Sequence, residues 1–377
     1  MPSMNILMIN LPFAGHTNPT LPLTDALVKH GHSVTYINAE PFRKAIERTG
    51  AKFIPYEGFP SEPTESEKKR CSFTAAFHTA MHLQEQFDLL IYEMFFYPGI
   101  EIAKRKGIPC VRQFSQPAWS EATWKDAPLM FRASAKLIDM QVLPKRIANQ
   151  LGLEHTCLRD GIIHSKPALN IVYVPEAFQT KRSNFGDDYL FLIPEAKAVA
   201  GDITIPYQNM KSPIVYISLG SIISNKGFCK ECIQAFGNTE CSVILNTGRI
   251  APDSLGTIPK NIYAYSFVPQ IEVLSHTDVF LTHCGMNSIN EALTLGVPMV
   301  AMPFLNDQIT NAKQIVKLGI GMQVRSFPSS GKELYHAVKT VYEDAKYKQN
   351  AEKMRNKIRK QISMDAVVEK IEQLKGR

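Results

Sequence analysis

The 377-residue sequence contains no apolar run that approaches the roughly 18 residues of a membrane-spanning helix. Its first residues lack the basic stretch, apolar core and small-residue cleavage site of a secretory signal peptide. No low-complexity run is long enough to indicate a disordered tail. We therefore expect a globular, cytoplasmic protein without stable membrane insertion.

Cysteine is sparse and shows no pairing pattern. The seven cysteines are scattered along the chain, which favours free thiols. Cys229 and Cys232 form a C-x-x-C pair, but no second pair or nearby histidine accompanies them, so we predict no metal site. The net charge of +7 suits an anionic ligand, yet the sequence lacks the clustered basic stripe of a nucleic-acid-binding protein. We expect no nucleic-acid partner.

The chain is longer than one hydrophobic core usually supports, which favours two domains. Its first half alternates short buried strands with helical patterns, starting at Asn5–Ile9 and ending with a strand at 109–113. The second half restarts this alternation at Ile214–Ser218 and continues to a strand at Met299–Ala301. Such alternation predicts an α/β fold with right-handed βαβ units and a parallel sheet in each half.

A stretch with many prolines and little periodicity separates the two halves and predicts a linker. We place the first domain at 1–200, the linker at 201–212 and the second domain at 213–360. Residues 361–377 form a further helical pattern, and its periodicity leaves open whether this helix packs back on the first domain.

The loop after the first strand carries a histidine, His16. Gly15 relieves the turn before it, and Pro19 suits the first position of a following helix. Ligands of parallel sheets bind beyond the carboxyl ends of strands, so His16 is placed to meet a ligand. Histidine is suited to act as a general base because its ordinary pKa lies near neutral pH. The alternative is a histidine that caps or fills the loop.

An acid at a neighbouring strand end could orient this imidazole. Glu93 closes the strand that begins at Leu89, and a carboxylate on the imidazole would fix its tautomer and stabilise the imidazolium. Asp88 lies at the entry end of the strand and Asp25 lies within the first helix, so both are weaker candidates. We predict the pair His16 and Glu93.

A buried strand of the second half ends at His283, and Gly285 turns the chain into a helix. Asn287 and Ser288 occupy the first turn, where free N–H groups and the helix dipole favour an anion. Glu291 lies one turn later on the same face and could accept hydrogen bonds from ribose hydroxyls. Simple capping of the helix is the alternative for Asn287 and Ser288. A sugar nucleotide accounts for all five residues together.

Polar or aromatic groups follow three other strands of the second half. A Leu-Gly-Ser turn offers N–H groups and a hydroxyl to a phosphate, although such turns are common. An aromatic ring and an amide would suit a nucleobase, and an Asp-Gln pair at a helix start would suit sugar hydroxyls. The turn is Leu-Gly-Ser with Gly220 and Ser221, the ring and the amide are Phe267 and Gln270, and the Asp-Gln pair is Asp307 and Gln308.

The ordered motifs between Phe267 and Gln308 resemble the donor signature of the family 1, UDP-dependent glycosyltransferases, in particular the bacterial macrolide-type branch. They are Val-Pro-Gln at 268–270, THCGMNS at 282–288, Glu-Ala at 291–292, Gly-Val-Pro at 296–298 and Asp-Gln at 307–308. The opening AGHTNP and the stretch 170–194 are similar as well, so the resemblance covers nearly the whole chain.

The resemblance implies a GT-B fold, in which two Rossmann-like domains face each other across a cleft. The N-terminal domain would bind the acceptor and the C-terminal domain the nucleotide sugar. The enzyme would be an inverting hexosyltransferase without a cofactor or divalent metal, in which His16 removes the proton of an acceptor hydroxyl. The donor would be a UDP-sugar, and Gln308 favours UDP-glucose.

The resemblance also distributes the parts of the donor over named residues. The diphosphate would contact His283, Asn287 and Ser288; the ribose, Glu291; the uracil, Phe267, Val268 and Gln270; and the sugar, Asp307 and Gln308. Two departures stand out. Glu93 replaces the family's aspartate with a side chain one methylene longer, and Phe267 stands where plant members usually have tryptophan.

We expect a hydrophobic small-molecule acceptor such as a macrolide or a phenol. Candidate pocket residues lie in loops after strands of the first domain or in the helical region beyond them. They are Phe13, Phe95, Phe96, Tyr97, Trp119, Trp124 and Met130. A lipid-linked acceptor at a membrane surface is an alternative, because apolar and basic residues alternate over 128–152. A non-catalytic, auxiliary sugar-nucleotide-binding protein is another.

Overall fold

The computed structural model describes residues 3–194, 203–220, 225–304, 307–325 and 330–375, except for the side chain of Met130. It divides into two compact units. The first unit combines Met1–Glu195 with Gln361–Arg377, and the second comprises Ala196–Lys360. Part of the predicted linker, 201–202, lies outside the described residues, and the part that follows contains one 3-10 turn at Tyr207–Asn209.

The first unit is built on a sheet of seven parallel strands in the order β3-β2-β1-β4-β5-β6-β7. The strands are β1 Asn5–Ile9, β2 Ser33–Asn38, β3 Lys52–Pro55, β4 Leu89–Glu93, β5 Cys110–Phe114, β6 Leu169–Val172 and β7 Tyr189–Phe191. The central strands are buried along almost their whole length, as expected when helices cover both faces of a sheet.

Helices connect these strands. They are α1 Ala14–Thr17, α2 Leu21–Lys29, α3 Arg43–Glu47, α4 Glu65–His82, α5 Gly99–Lys106, α6 Glu121–Asp126, α7 Leu129–Val142, α8 Lys145–Gln150 and α9 Leu158–Ile163. Two of them differ from the sequence expectation. His16 lies in the short helix α1 rather than in an open loop, and α4 begins at Glu65, inside the polar segment 61–70, which the sequence pattern favours as a loop. A capping box between Thr64 and Glu67 fixes that earlier start.

The second unit repeats the design with six parallel strands in the order β10-β9-β8-β11-β12-β13. The strands are β8 Ile214–Ser218, β9 Ser242–Asn246, β10 Ile262–Tyr265, β11 Val279–Thr282, β12 Met299–Ala301 and β13 Gly321–Gln323. Its helices are α10 Lys226–Phe236, α11 Gln270–Ser275, α12 Met286–Leu295, α13 Asp307–Lys317, α14 Gly331–Glu343 and α15 Ala345–Ile358. The predicted pair of Rossmann-like α/β domains is confirmed.

The last helix, α16 Met364–Glu372, belongs to the first unit. Val367, Val368 and Ile371 are fully buried in the same apolar core as strands β1 and β2, where α16 packs against α2. His32 Nε2 lies 3.0 Å from a carboxylate oxygen of Glu372 and adds a polar contact at this interface. The C-terminal helix therefore completes the core that the N-terminal residues begin.

Cys229 and Cys232 are both buried on α10, within the apolar core of the second unit. Burial raises the pKa of both thiols, so these two side chains serve packing. Within the ranges that the structure covers, no group of three or more His, Cys, Asp or Glu side chains is placed to hold a metal ion. In the same ranges, no helix has the length and apolarity needed to cross a membrane.

Candidate functional site

His16 and Glu93 come together where the strand order of the first sheet reverses. β1 leads into the helix that carries His16, β4 ends at Glu93, and the two strands are neighbours. His16 Nδ1 lies 2.9 Å from Glu93 Oε1. The Glu93 side chain is fully buried, and the imidazole is 25% exposed. The predicted pair thus occupies the edge of the sheet at which doubly wound folds bind ligands.

Both carboxylate oxygens of Glu93 have hydrogen-bonding partners. Its Oε2 accepts a hydrogen bond from the backbone N–H of Phe95 at 3.0 Å. The hydroxyl of Ser115 lies 3.5 Å from Oε1 and 3.4 Å from His16 Nδ1. A carboxylate at Nδ1 favours the tautomer with the proton on that atom, which leaves the lone pair on Nε2. Sequence reasoning missed Ser115, although it directly follows β5 at the same edge of the sheet.

Buried polar side chains fix the backbone around His16. Asn10 donates from Nδ2 to the carbonyl oxygen of His16 at 3.1 Å. Thr17 donates to the carbonyl of Leu11 at 3.0 Å, and Asn38 donates to Thr17 Oγ1 at 2.9 Å. These bonds satisfy buried polar groups and hold the short helix α1 in one position.

Aromatic rings surround the imidazole. The rings of Phe13 and Phe95 approach His16 edge-on, with centroids 5.7 and 5.2 Å from the imidazole centroid. Phe95 contacts Trp119 in turn at 5.8 Å. Three of the candidate acceptor residues therefore lie in one continuous group with the candidate base.

The aromatic group continues away from His16. Trp119 contacts Trp124 at a centroid distance of 5.3 Å, and Phe131 contacts both tryptophans at 5.5 and 6.1 Å. Phe131 was missed by sequence reasoning, since nothing in its spacing distinguishes it from a core residue. Met130 precedes it on α7, and its side chain lies outside the described part of the chain.

Phe96 and Tyr97 are not part of this aromatic group. Both are almost completely buried and pack against Phe73. The ring of Tyr97 also lies against Gly161, where an added Cβ would come within 2.6 Å of it. Both side chains are core residues with almost no exposed surface, and the structure does not bring them into the aromatic group around His16.

In the second unit, His283 lies between two glycines at the corresponding reversal of strand order. β8 leads to Gly220, and the neighbouring strand β11 leads to His283 and then to Gly285, the N-cap of α12. A Cβ on Gly220 would lie 2.6 Å from His283 Cε1, and a Cβ on Gly285 would lie 2.5 Å from Nε2. Only glycine leaves room for the imidazole at both positions.

The imidazole of His283 is buried, being only 8% exposed. Burial lowers its pKa from the ordinary 6.5 to about 4, so the ring is neutral at pH 7. A neutral imidazole still donates one N–H, and it lies beside the amide-lined start of α12, where Asn287 and Ser288 form the first turn. This arrangement suits a bound oxyanion such as a phosphate.

The turn before α12 is strained and well supported. Cys284 has a φ of 68°, which is uncommon for a residue other than glycine. Thr282 Oγ1 accepts from the backbone N–H of Cys284 at 3.2 Å, and Asn311 donates to its carbonyl oxygen at 3.1 Å. Asn311, which the sequence did not suggest, thus holds the turn that aims the start of α12.

A hydrogen-bonded group joins Gln270, Ser288 and Glu291. Gln270 Nε2 donates to Ser288 Oγ at 3.1 Å and to Glu291 Oε2 at 2.5 Å. Burial raises the pKa of Glu291, and the Gln270 amide partly opposes this. The buried hydroxyl of Tyr216 lies 3.0 Å from Gln270 Oε1, which fixes the orientation of the amide. Sequence reasoning missed Tyr216 because it lies within the buried apolar strand β8, where it looks like one more core residue.

The remaining donor candidates differ in exposure. Phe267 is 57% exposed, so its ring is open to a ligand, whereas the side chain of Val268 is buried and leaves only its backbone for contact. Ser221 lies outside the described residues.

Asp307 and Gln308 begin α13 at the carboxyl end of β12, as predicted. Gln308 Oε1 accepts from the backbone N–H of Phe304 at 2.9 Å, and Asp307 Oδ2 accepts from Asn311 Nδ2 at 3.3 Å. Gln308 is therefore positioned by the loop that precedes α13, and Asp307 by a residue one turn later in the same helix.

Comparison with known proteins agrees with these observations. Residues 205–368 match the model of the UDP-glucuronosyl and UDP-glucosyl transferase family. The chain is 28% identical to the NDP-glycosyltransferase YjiC of Bacillus subtilis (strain 168), over 99% of this chain and 97% of that protein. It is also 28% identical to the demethyllactenocin mycarosyltransferase of Streptomyces fradiae, over 94% of this chain and 83% of that protein.

Solved structures extend the comparison to the fold. The glycosyltransferase of kitacinnamycin superposes with a TM-score of 0.84 at 26% identity, over 99% of this chain and all of that one. The resemblance inferred from the motifs, including the GT-B fold, is confirmed.

Proposed function

We propose that this chain, whose residues 205–368 match the model of the UDP-glucuronosyl and UDP-glucosyl transferase family, is an inverting glycosyltransferase. It moves a hexose, with glucose the expected sugar, from a UDP-sugar to a hydroxyl of a hydrophobic small molecule. Its place of action is the cytoplasm. The observation that carries the proposal is the pair of sites at the reversals of strand order, His16 with Glu93 in one unit and His283 beside α12 in the other.

In the proposed reaction, His16 Nε2 takes the proton of the acceptor hydroxyl, while Glu93 stabilises the imidazolium that forms. The acceptor oxygen bonds to the anomeric carbon as the bond from that carbon to the diphosphate breaks. UDP leaves with the bonding electrons. Attack from the side opposite the leaving group inverts the anomeric carbon.

The leaving diphosphate gains negative charge, and the second unit offers it donors. The N–H groups at the start of α12, the side chains of Asn287 and Ser288, and the N–H of His283 would bind it. Glu291 would bind the ribose, Phe267 and Gln270 the base, and Asp307 and Gln308 the sugar. No divalent ion takes part in this mechanism.

The aromatic group around His16 supports a hydrophobic acceptor. Phe13, Phe95, Trp119 and Trp124 offer apolar area and few hydrogen-bonding groups, which suits a macrolide or a phenol. Relatives named demethyllactenocin mycarosyltransferase and oleandomycin glycosyltransferase support the same class of acceptor. The buried, fully paired carboxylate beside His16 argues against a non-catalytic sugar-nucleotide binder.

The decisive experiment incubates the protein with UDP-glucose and a panel of macrolide and phenolic acceptors, with and without EDTA, and analyses products by mass spectrometry. We expect an added hexose, a β linkage by NMR, and equal turnover with EDTA. An α linkage would overturn inversion, and an EDTA loss restored by magnesium would overturn the metal-free step. Calorimetric UDP binding without any product would favour a non-catalytic binder instead.

A further inference from the structure

The outward face of α7 is apolar. Leu129, Leu137 and Met140 are 75%, 58% and 71% exposed, and Ala133 is exposed between them. At about 100° per residue, these four positions fall on one side of the helix. The three large side chains are half of the six large hydrophobic residues that the described part of the chain exposes. We call Leu129, Ala133, Leu137 and Met140 the apolar face of α7.

The opposite side of α7 already supplies the packing that holds the helix on the unit. Ala135 and Val142 are buried, and Phe131 contacts the two tryptophans. A surface helix normally turns charged and polar residues to water. Since its inner side is satisfied, the apolar face of α7 is not needed for the fold of this unit.

Cations border this face, and the one acid in residues 129–150 is hydrogen-bonded to the start of α9. Lys136 is exposed on α7, and Lys145 and Arg146 are exposed at the start of α8, which follows directly. Asp139 is the only acid in residues 129–150. Its carboxylate accepts a backbone hydrogen bond, and burial raises its pKa to about 6. The charge around the apolar face is therefore positive.

The acids on the helices around α7 have partners: on α4, Glu65 bonds Lys68 and Glu67 caps the helix. Glu121 of α6 and Asp160 of α9 both bond Arg159 at 2.6–2.7 Å. A second copy of this chain is a poor partner for the apolar face of α7. A two-fold contact through this face would gather Lys136, Lys145 and Arg146 of both copies around one apolar interface, and like charges repel.

We propose that the apolar face of α7 docks on the surface of an anionic lipid bilayer. An interfacial helix combines an apolar face with flanking lysine and arginine, which attract anionic headgroups. α7 has 14 residues, so it would lie in the plane of the interface rather than span it. This docking goes beyond the proposed transfer reaction and does not depend on it.

Flotation with vesicles tests the proposal. The wild-type protein is mixed with vesicles of phosphatidylglycerol and phosphatidylcholine in equal parts, or with phosphatidylcholine alone. We expect flotation with the anionic vesicles, weaker flotation with the neutral ones, and loss at high salt. The double variant L137S/M140S should reduce the bound fraction about tenfold, and K136E/R146E by a similar factor.

Two matched controls lie in the second unit. V316S/Y342S removes two other exposed apolar side chains, and K313E/K317E makes the same change in net charge as K136E/R146E. Both controls should float as the wild type does. Turnover of a soluble acceptor without vesicles should be equal in all these proteins, which separates docking from catalysis and verifies folding.

Three results would overturn the proposal. The first is a wild-type protein that does not float with either kind of vesicle. The second is flotation that the α7 variants leave unchanged. The third is a wild-type dimer in light scattering that L137S/M140S converts to a monomer, because the face would then be an interface between copies.

Discussion

Glu93 holds the imidazole of His16 through Nδ1 at 2.9 Å, and its other carboxylate oxygen is tied to the backbone of Phe95. The extra methylene of Glu93, relative to the aspartate that the family resemblance implies at this position, does not prevent the contact. It lets the carboxylate reach from the last residue of β4 while it remains fully buried.

Replacing Glu93 with glutamine should reduce turnover about a hundredfold or more, because a neutral amide neither fixes the tautomer nor stabilises the imidazolium. The pH dependence of kcat should change as well. Glu93→Asp keeps the charge but shortens the reach, so an intermediate rate is expected. Turnover of E93Q equal to that of the wild type would remove Glu93 from the mechanism.

Replacing His16 with alanine should lower kcat by about two to four orders of magnitude, since the hydroxyl loses its general base. The Kd for UDP, measured by calorimetry, should stay unchanged. His78→Ala, an exposed histidine of the same unit, serves as control and should retain full turnover. Equal activity in both variants would reject the proposed base.

Replacing Gly285 with alanine should raise the Kd for UDP by about one to two orders of magnitude, because the new Cβ forces the imidazole of His283 to move. The same substitution in a His283→Ala background tests this cause. There the clash is gone, and the further change should be less than about threefold. Equal effects in the two backgrounds would mean that the start of α12 requires Gly285 and that the imidazole of His283 does not.

His283 should make the second unit sensitive to acid. Its pKa is near 4 in the folded chain and 6.5 ordinarily, so the unfolded chain takes up the proton first as the pH falls. The stability associated with the neutral ring is therefore lost between about pH 6.5 and 4. Between about pH 7 and 4.5, the free energy of unfolding of the wild type should fall by about 2 to 3 kcal/mol more than that of His283→Gln.

Hydrogen exchange in β11 and α12 measures this loss locally. Tryptophan fluorescence would not, because Trp119 and Trp124 both lie in the first unit. Parallel pH profiles for the wild type and His283→Gln would contradict a depressed pKa.

Replacing Tyr216 with phenylalanine should weaken UDP binding about three- to tenfold, because Gln270 loses the hydroxyl that orients its amide. Tyr173→Phe is the matched control. It removes an equally buried hydroxyl that bonds Gln113 in the first unit, and it should leave the Kd for UDP unchanged. An unchanged Kd in Y216F would show that Gln270 needs no such support.

Several elements were predictable to the residue. β1, β8 and β12 have the predicted bounds because each is a short buried apolar run between turn residues. α12 begins directly after Gly285, as predicted, and Gly296 ends it. Local chemistry sufficed for these elements.

The supporting residues were not predictable in the same way. Ser115, Tyr216 and Asn311 bond His16, Gln270 and Cys284, which are 27 or more positions away in sequence. Their local patterns are those of ordinary core or strand-end residues. Spacing along the chain identifies a residue that meets a ligand more readily than one that holds another side chain in place.

The position of α16 in the first unit has a consequence for synthesis. While the ribosome is still producing residues beyond 360, the hydrophobic side of α2 that α16 will cover stays open to water. The second unit, which is continuous in sequence, has all its residues before that point. The N-terminal half therefore finishes last, and a stop codon directly after residue 360 would remove α16 and damage the half of the protein that is translated first.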